Sequence, residues 1–205
     1  MTLHLEVLVE EPSAKAALNE LLPRILPSTA SFAVHAHQGK PALLRRLPQR
    51  LRAYSAMDWP QLRLLVLVDR DQEDCQGLKQ RLEEIASAAG LTTKSTAAGG
   101  RFQAANRIAV EELEAWFFGD VEALRAAYPR VPKSLGARAL CRDPDAIRGG
   151  TAEALARVLH RAGHLGTDYL PKITVASAVA GHLEPSRNRS HSFRCFCNGI
   201  EALMR

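Results

Sequence analysis

The sequence has no uninterrupted apolar run that approaches the ~20 residues needed to cross a bilayer. Its first apolar stretch contains Glu6, Glu10 and Glu11, so the pattern of a secretory signal peptide is missing as well. These two absences argue against a membrane or secreted protein. We therefore expect no membrane partner and a cytoplasmic location.

Cysteine is scarce, and its spacing lacks a metal-binding pattern. The four cysteines form no CxxC pair, whereas structural zinc sites use short, regular ligand spacings. Reduced structural thiols are therefore expected. The chain also lacks internal repeats and low-complexity segments, and no order of serine, histidine and acid indicates a catalytic triad.

Two strongly apolar runs are present, and acidic residues follow both of them. The run at 3–9 is followed by Glu10, and the run at 64–68 is followed by Asp69 and Asp71. Strands this apolar are typical of the interior of a parallel sheet, whose ligands bind beyond the carboxyl ends of the strands. We therefore expect Glu10, Asp69 and Asp71 to be active-site groups.

The first half of the chain alternates strand and helix patterns. Strands are predicted up to Glu10, over 31–37 and over 63–68, and helices over 12–26, from Pro41 through Leu51 and over 75–89. Successive β-then-α units indicate a parallel sheet with right-handed crossovers. The predicted fold class is α/β, a Rossmann-like parallel sheet flanked by helices.

From residue 121 onward, the pattern changes to short helices separated by prolines and glycines, with no strand signal. At 205 residues, the chain is long enough for one domain with a sizeable core. We expect an α/β core over 1–120 and a helical C-terminal lobe over 121–205, packed on the core as one structural unit.

A fourth strand is predicted to include 107–110 and to lead directly into a helix over 111–118. In such a helix Glu111 and Glu114 share one face. The helix dipole favours acids in a first turn, so capping of this helix is enough to explain Glu111 and Glu112. Glu114 comes later, beside Trp116, where capping explains less, while Trp116 itself is expected in the core.

Metal-assisted phosphoryl transfer is the chemistry that fits these acids. If the segment after the second run is extended, Asp69 and Asp71 point the same way and can converge on one cation. With a third carboxylate from a neighbouring strand, they form a hard, oxygen-only site that suits Mg²⁺ or Mn²⁺. A pair of acids at the start of a loop is also a turn or helix-capping device, so the pair alone leaves both interpretations open.

The charge balance favours a polyanionic partner. The net charge is +5 and the sequence pI about 9.3, which predict attraction to polyanions such as nucleic acid. Four arginines crowd one helical stretch, where a solvated basic face is an equally good interpretation. They are Arg45, Arg46, Arg50 and Arg52.

Candidate phosphate contacts are needed to balance the charge of a phosphodiester. Lys40, at the sheet edge that carries the acids, is the first choice, and Lys172, at a predicted helix start, is the second. Arg107, Arg189 and Ser190 are further candidates. For the two arginines a surface salt bridge is an equally good explanation, and Ser190 fits equally well as a helix N-cap.

Five short pieces of sequence carry a resemblance to a known family. By these pieces the chain resembles the DUF4276 family, a group of bacterial Toprim-like proteins often encoded beside an ATPase. More broadly, the order of its acids resembles the Toprim domain of topoisomerases, primases and OLD-family nucleases. The pieces are 9–13, 38–40, 67–71 with 74–75, 106–109 with 112–116, and 188–190 with 192–193.

The resemblance implies roles for particular residues. Glu10 matches the Toprim glutamate, a metal ligand or general acid/base, and Asp69 with Asp71 matches the metal-binding DxD. Glu114 is similar to a family acid that binds the metal or supports a residue that does. The chain departs from the usual pattern at Glu11, where glycine is common, and at Ala14, where a second acid often occurs.

The function implied is that of a Mg²⁺-dependent (or Mn²⁺-dependent) Toprim-type nuclease. It would hydrolyse phosphodiester bonds in DNA or RNA, in defence against phage or mobile elements, with an AAA- or ABC-type ATPase encoded nearby as partner. A homo-oligomer is compatible with this function. The alternatives are a non-catalytic Toprim-like module that binds nucleic acid or the ATPase, and a hydrolase of small phosphates.

Overall fold

In the computed structural model, which describes residues 2–205, four strands form one parallel sheet. Their order across the sheet is β2-β1-β3-β4, and every pairing is parallel. The predicted α/β class, a parallel sheet flanked by helices, is confirmed. The strands are β1 (His4–Val9), β2 (Ser31–Ala36), β3 (Leu62–Asp69) and β4 (Ala104–Ala109).

Three helices of the first half cover both faces of the sheet. Helices α2 (Lys40–Ser55) and α3 (Cys75–Ala88) pack their leucines on the face that carries Leu8 and Val66. Helix α1 (Pro12–Ile25) packs on the opposite face. The chain leaves β1 toward β2 and leaves β3 toward β4, in opposite directions across the sheet. A crevice therefore opens between the carboxyl ends of β1 and β3, where such sheets bind ligands.

Six further helices lie in the second half of the described chain. Helix α8 packs along α1, and α9 packs against β4. One hydrophobic cluster joins these helices to the α1 face of the sheet. None of the helices in residues 2–205 is long and apolar enough to span a membrane. The helices are α4 (Ala115–Gly119), α5 (Val121–Ala127), α6 (Ala139–Arg142), α7 (Thr151–Arg161), α8 (Lys172–Ala180) and α9 (His191–Leu203).

Local sequence signals explain where several helices begin. Pro12 occupies the first turn of α1, where its missing N–H costs nothing. Gly39 has a φ of +83°, which lets the chain turn sharply from β2 into α2. The Asp74 side chain caps α3 by accepting a bond of 2.6 Å from the N–H of Gly77.

The predicted helix over 111–118 is wrong at its start. Strand β4 ends at Ala109, and the chain then makes a turn before α4 begins at Ala115. A hydrogen bond to the segment after β3 holds this turn. The carbonyl of Glu111 accepts it from the N–H of Asp71, at 2.8 Å. Glu111 and Glu114 therefore precede the helix and do not share a helix face.

Candidate metal centre at the carboxyl ends of the strands

Five acidic side chains gather at the carboxyl ends of three adjacent strands. Glu10 follows β1, Asp69 ends β3 and Asp71 follows it, while Glu112 and Glu114 lie in the turn after β4. The other four all act electrostatically on Asp69. We call these five residues the acidic centre.

Glu10 is buried between β1 and β3. The residue is only 6% exposed, and its Oε1 accepts a short hydrogen bond from the backbone N–H of Asp69. Burial raises the pKa of Glu10 to about 7, although the bond from Asp69 and the charge of Lys40 oppose the rise. Glu10 is thus poised to exchange a proton near neutral pH.

Asp69 lies at the middle of the acidic centre. In the described chain, residues 2–205, no donor is bonded to its carboxylate. Desolvation raises its pKa well above the ordinary value, and repulsion from Glu10 and Glu114 adds to the rise. Within residues 2–205 this carboxylate therefore has no hydrogen-bond donor, although the charge of Lys172 acts on it electrostatically.

Glu112 and Glu114 are only two residues apart, yet they have opposite environments. Glu114 is 3% exposed, and burial raises its pKa to about 7 against the opposing charge of Lys172. Burial alone would also raise the pKa of Glu112, but hydrogen bonds lower it. Its Oε2 accepts from the N–H and hydroxyl of Thr151, at 2.7 and 2.8 Å, and from the N–H of Ala152 at 2.9 Å. Glu112 is an ionised cap on α7.

The chain is not extended beyond β3, so the premise for expecting Asp69 and Asp71 to point the same way does not hold. Asp71 has a φ of +52°, a left-handed conformation that Asp tolerates better than most residues. Its Oδ2 accepts a bond of 2.6 Å from Nζ of Lys40. The same Nζ donates to Glu73 Oε1 at 2.9 Å and to the Arg70 carbonyl at 3.2 Å.

Two lysines flank the acidic centre on opposite sides of the sheet. Lys40 begins α2, and Lys172 begins α8, where its Nζ lies 3.7 Å from Glu11 and 3.6 Å from Glu112. Burial would lower the pKa of each lysine, but the surrounding acids raise it. Clefts of about 350 and 480 Å³ adjoin Lys40 and Lys172, respectively. Both cations are fixed beside accessible space.

Three residues that were predicted to contact phosphate are bonded to other parts of the chain. Arg107 donates to the Cys195 carbonyl at 2.9 Å and packs so closely on α9 that a Cβ at Gly199 would clash with its guanidinium. Arg189 is exposed and donates to the Gly136 carbonyl at 3.3 Å. Ser190 is fully buried and caps α9.

Hydrogen bonds to Asp145 and Phe193 fix the position of Ser190 at the start of α9. Its hydroxyl donates to Asp145 Oδ1 at 2.7 Å and accepts from the N–H of Phe193 at 3.1 Å. The N–H of Ser192 donates to the other oxygen of Asp145 at 2.7 Å. The sequence left two interpretations of Ser190 open, a phosphate contact and a helix N-cap. The bonds of Ser190 are those of an N-cap.

The donor set of the acidic centre fits a hard divalent cation. Its ligands are carboxylate oxygens, which Mg²⁺ and Mn²⁺ prefer, and the carboxylate of Asp69 has no hydrogen-bond donor. Nearby, Oε2 of buried Glu111 also lacks a partner. Within residues 2–205, however, no three His, Cys, Asp or Glu side chains form a ready-made metal site. Two of the five acids are bonded elsewhere, Asp71 to Lys40 and Glu112 to α7.

A cleft of about 760 Å³ lies far from these acids. It is formed by the end of α1 and by α9, at the amino-terminal end of the strands. Ligands of parallel sheets bind at the other end. We therefore assign the functional site to the acidic centre and not to this larger cleft.

The fold and the site define a class: a parallel α/β protein with an acidic centre at the switch point of its sheet. A family model described as "Domain of unknown function (DUF4276)" matches residues 9–201, and the chain belongs to this family. The match includes every residue of the acidic centre. No curated protein and no solved structure matches the chain.

Proposed function

We propose that this protein is a Toprim-like, Mg²⁺- or Mn²⁺-dependent hydrolase of phosphodiester bonds in DNA or RNA. The observation that carries the proposal is the acidic centre at the switch point. There, no donor within residues 2–205 is bonded to the Asp69 carboxylate, and one lysine lies on either side. Acids alone would repel a phosphodiester. A cation together with Lys40 and Lys172 would reverse that repulsion.

The residues that would hold the cation are Glu10, Asp69, Asp71 and Glu114. When bound, the ion would supply a Lewis acid that polarises the phosphate and lowers the pKa of a coordinated water. Glu112 is already committed to the N-terminus of α7 and would contribute negative potential only.

The remaining chemistry belongs to the chain itself. Glu10 has a pKa of about 7, which matches a group that takes up or releases a proton at neutral pH. Oε2 would carry that proton, because Oε1 is occupied by the N–H of Asp69. Lys172, and Lys40 once it releases one of its three present acceptors, would contact phosphate oxygens from opposite sides of the sheet and stabilise charge that develops in the transition state.

The biological setting we propose is defence against phage or mobile elements, together with an AAA- or ABC-type ATPase encoded nearby. This part rests on the resemblance of the five sequence pieces. Assembly with an ATPase, or with further copies of the chain, would provide a way to control a nuclease that otherwise endangers its host.

A non-catalytic module is the second candidate, and one observation favours it. Lys40 bonds to both Asp71 and Glu73, at 2.6 and 2.9 Å, so the second acid of the DxD pair is neutralised by the chain. A Toprim-like protein with this ion pair locked in place would bind nucleic acid or its ATPase without cleaving.

A cleavage assay separates the two candidates. Purified protein is incubated with single- and double-stranded DNA and RNA in Mg²⁺, Mn²⁺ or EDTA. The proposal predicts cleavage that requires a metal and stops in EDTA. Failure to cleave any of the four substrates, alone and with the neighbouring ATPase, would favour the binding module.

A further inference from the structure

A basic groove runs between α2 and α3 on the Lys40 side of the sheet. It consists of two clefts of about 350 and 460 Å³ that share Leu44 and Arg81. Arg45 lines the first cleft and Arg52 the second. We call this feature the α2–α3 groove, and we propose that it binds the phosphate backbone of a polynucleotide and leads it to the acidic centre.

The three arginines of the groove keep their positive charge free of ion pairs in the described chain. Within residues 2–205, no ion pair involves Arg45, Arg52 or Arg81, and Arg52 donates only to the Pro48 carbonyl of its own helix. Of the two acids that line the groove, Glu73 is bonded to Lys40, and Glu84 accepts a hydrogen bond from Gln80. Three arginines therefore face solvent in a concave surface, an arrangement that attracts polyanions and favours paired contacts with phosphate oxygens.

The other arginines of α2 lie outside the groove. Arg46 and Arg50 act electrostatically on His37, which follows β2. Arg45 and Arg52, seven residues apart, share the helix face toward α3. The basic stretch recognised in the sequence is thus divided between two faces, and Arg45 and Arg52 lie on the face that lines the two clefts.

The groove is continuous with the acidic centre. Lys40, which binds Asp71, also lines the first cleft. At 1.5 Å per helical residue, Lys40, Arg45 and Arg52 span about 18 Å along α2. A nucleic-acid strand rises about 3.4 Å per nucleotide, so this span corresponds to about five phosphates. A free phosphate or a mononucleotide is too short to contact all three cations.

The inference rests on the proposed function, because the acidic centre is what favours nucleic acid over another polyanion. It is tested by binding in EDTA, where no cleavage occurs. Fluorescein-labelled single-stranded and duplex oligonucleotides are titrated with wild type, with Arg45→Ala/Arg52→Ala/Arg81→Ala, and with a reference variant of equal charge, Arg142→Ala/Arg157→Ala/Arg161→Ala. The reference arginines are exposed on α6 and α7.

We expect the groove variant to bind about tenfold more weakly or worse at 0.1 M salt. Its plot of log affinity against log salt should be shallower by about 2 to 3. The reference variant should keep the wild-type affinity within about threefold, because it changes net charge equally but not the groove. Circular dichroism melting checks that both variants are folded.

Three results would overturn the inference. They are equal weakening by both variants, no binding by wild type, and displacement of the oligonucleotide by poly-aspartate at equal charge, which would identify an acidic peptide as the occupant. The proposed function fails separately: binding that depends on the groove without cleavage in metal would retain the groove and reject the nuclease.

Discussion

Asp69→Asn is expected to lower metal-dependent cleavage by at least about 10³-fold. Asparagine has nearly the same shape but no charge, so the centre loses the carboxylate on which four other acids act. Asp69 would hold the cation that stabilises transition-state charge, and loss of such stabilisation lowers rates by about 10²-fold to more than 10³-fold. Initial rates on the best substrate, in Mg²⁺ and in Mn²⁺, measure the effect.

The same variant should remain folded. The carboxylate of Asp69 accepts no hydrogen bond within residues 2–205, and burial together with repulsion from Glu10 and Glu114 raises its pKa. Removing its charge relieves that repulsion, so we expect a melting temperature equal to or above that of wild type. Asp58→Asn is the matched control, since Asp58 is exposed in the loop before β3, at the opposite end of the sheet. Cleavage by Asp69→Asn within tenfold of Asp58→Asn would remove Asp69 from the active site.

Glu114→Gln is expected to stabilise the metal-free protein increasingly as pH rises. The pKa of Glu114 is about 7 in the folded protein and 4.5 as an ordinary carboxyl. The folded state therefore holds a proton that the unfolded state has released, and wild-type stability present below pH 4.5 is lost as pH rises to about 7. At about 1.4 kcal/mol per pH unit, the upper limit of this loss is about 3 kcal/mol.

Denaturant unfolding in EDTA at pH 5 and pH 8 measures this effect. At pH 8 the free energy of unfolding of the variant should exceed that of wild type by up to about 3 kcal/mol, reduced by the attraction between Lys172 and Glu114 that the variant loses. At pH 5 the gain should be much smaller. Glu84→Gln, at an exposed position on α3, should differ little from wild type at either pH. A pH-independent difference for Glu114→Gln would show that Glu114 does not titrate in this range.

The sequence predicted the location of Glu10 and Asp69 for a physical reason. Apolar runs followed by acids indicate buried parallel strands with polar ends, and β1 and β3 are neighbours in the sheet, with Val9 opposite Leu67. Parallel pairing therefore brings both acids to one edge. Lys40 reaches the same edge because β2 pairs with the other side of β1.

Tertiary contacts account for what the sequence did not predict. The left-handed conformation of Asp71 occurs together with its bond to Lys40, which is 31 residues away in the sequence. Glu112 was explained as a cap of its own helix, whereas it caps α7. The available signal was that α7 begins after two glycines and has no side-chain cap of its own.

The faces of strands and helices explain the remaining differences. Arg107 belongs to β4 but contacts α9, because the direction of its side chain is set by strand alternation and by a helix 88 residues away. Ser190 satisfies the N-cap pattern and is used for it. A residue type suited to phosphate thus identifies candidates, while the packing of distant elements decides which of them reach the acidic centre.

Calorimetric titration of Mn²⁺ into the purified protein tests the central claim most directly, because the proposed chemistry requires a cation at the acidic centre. The account predicts saturable binding by wild type and by Asp58→Asn, and loss of that binding in Asp69→Asn. Absence of binding by the folded wild type, or equal binding by Asp69→Asn, would contradict it.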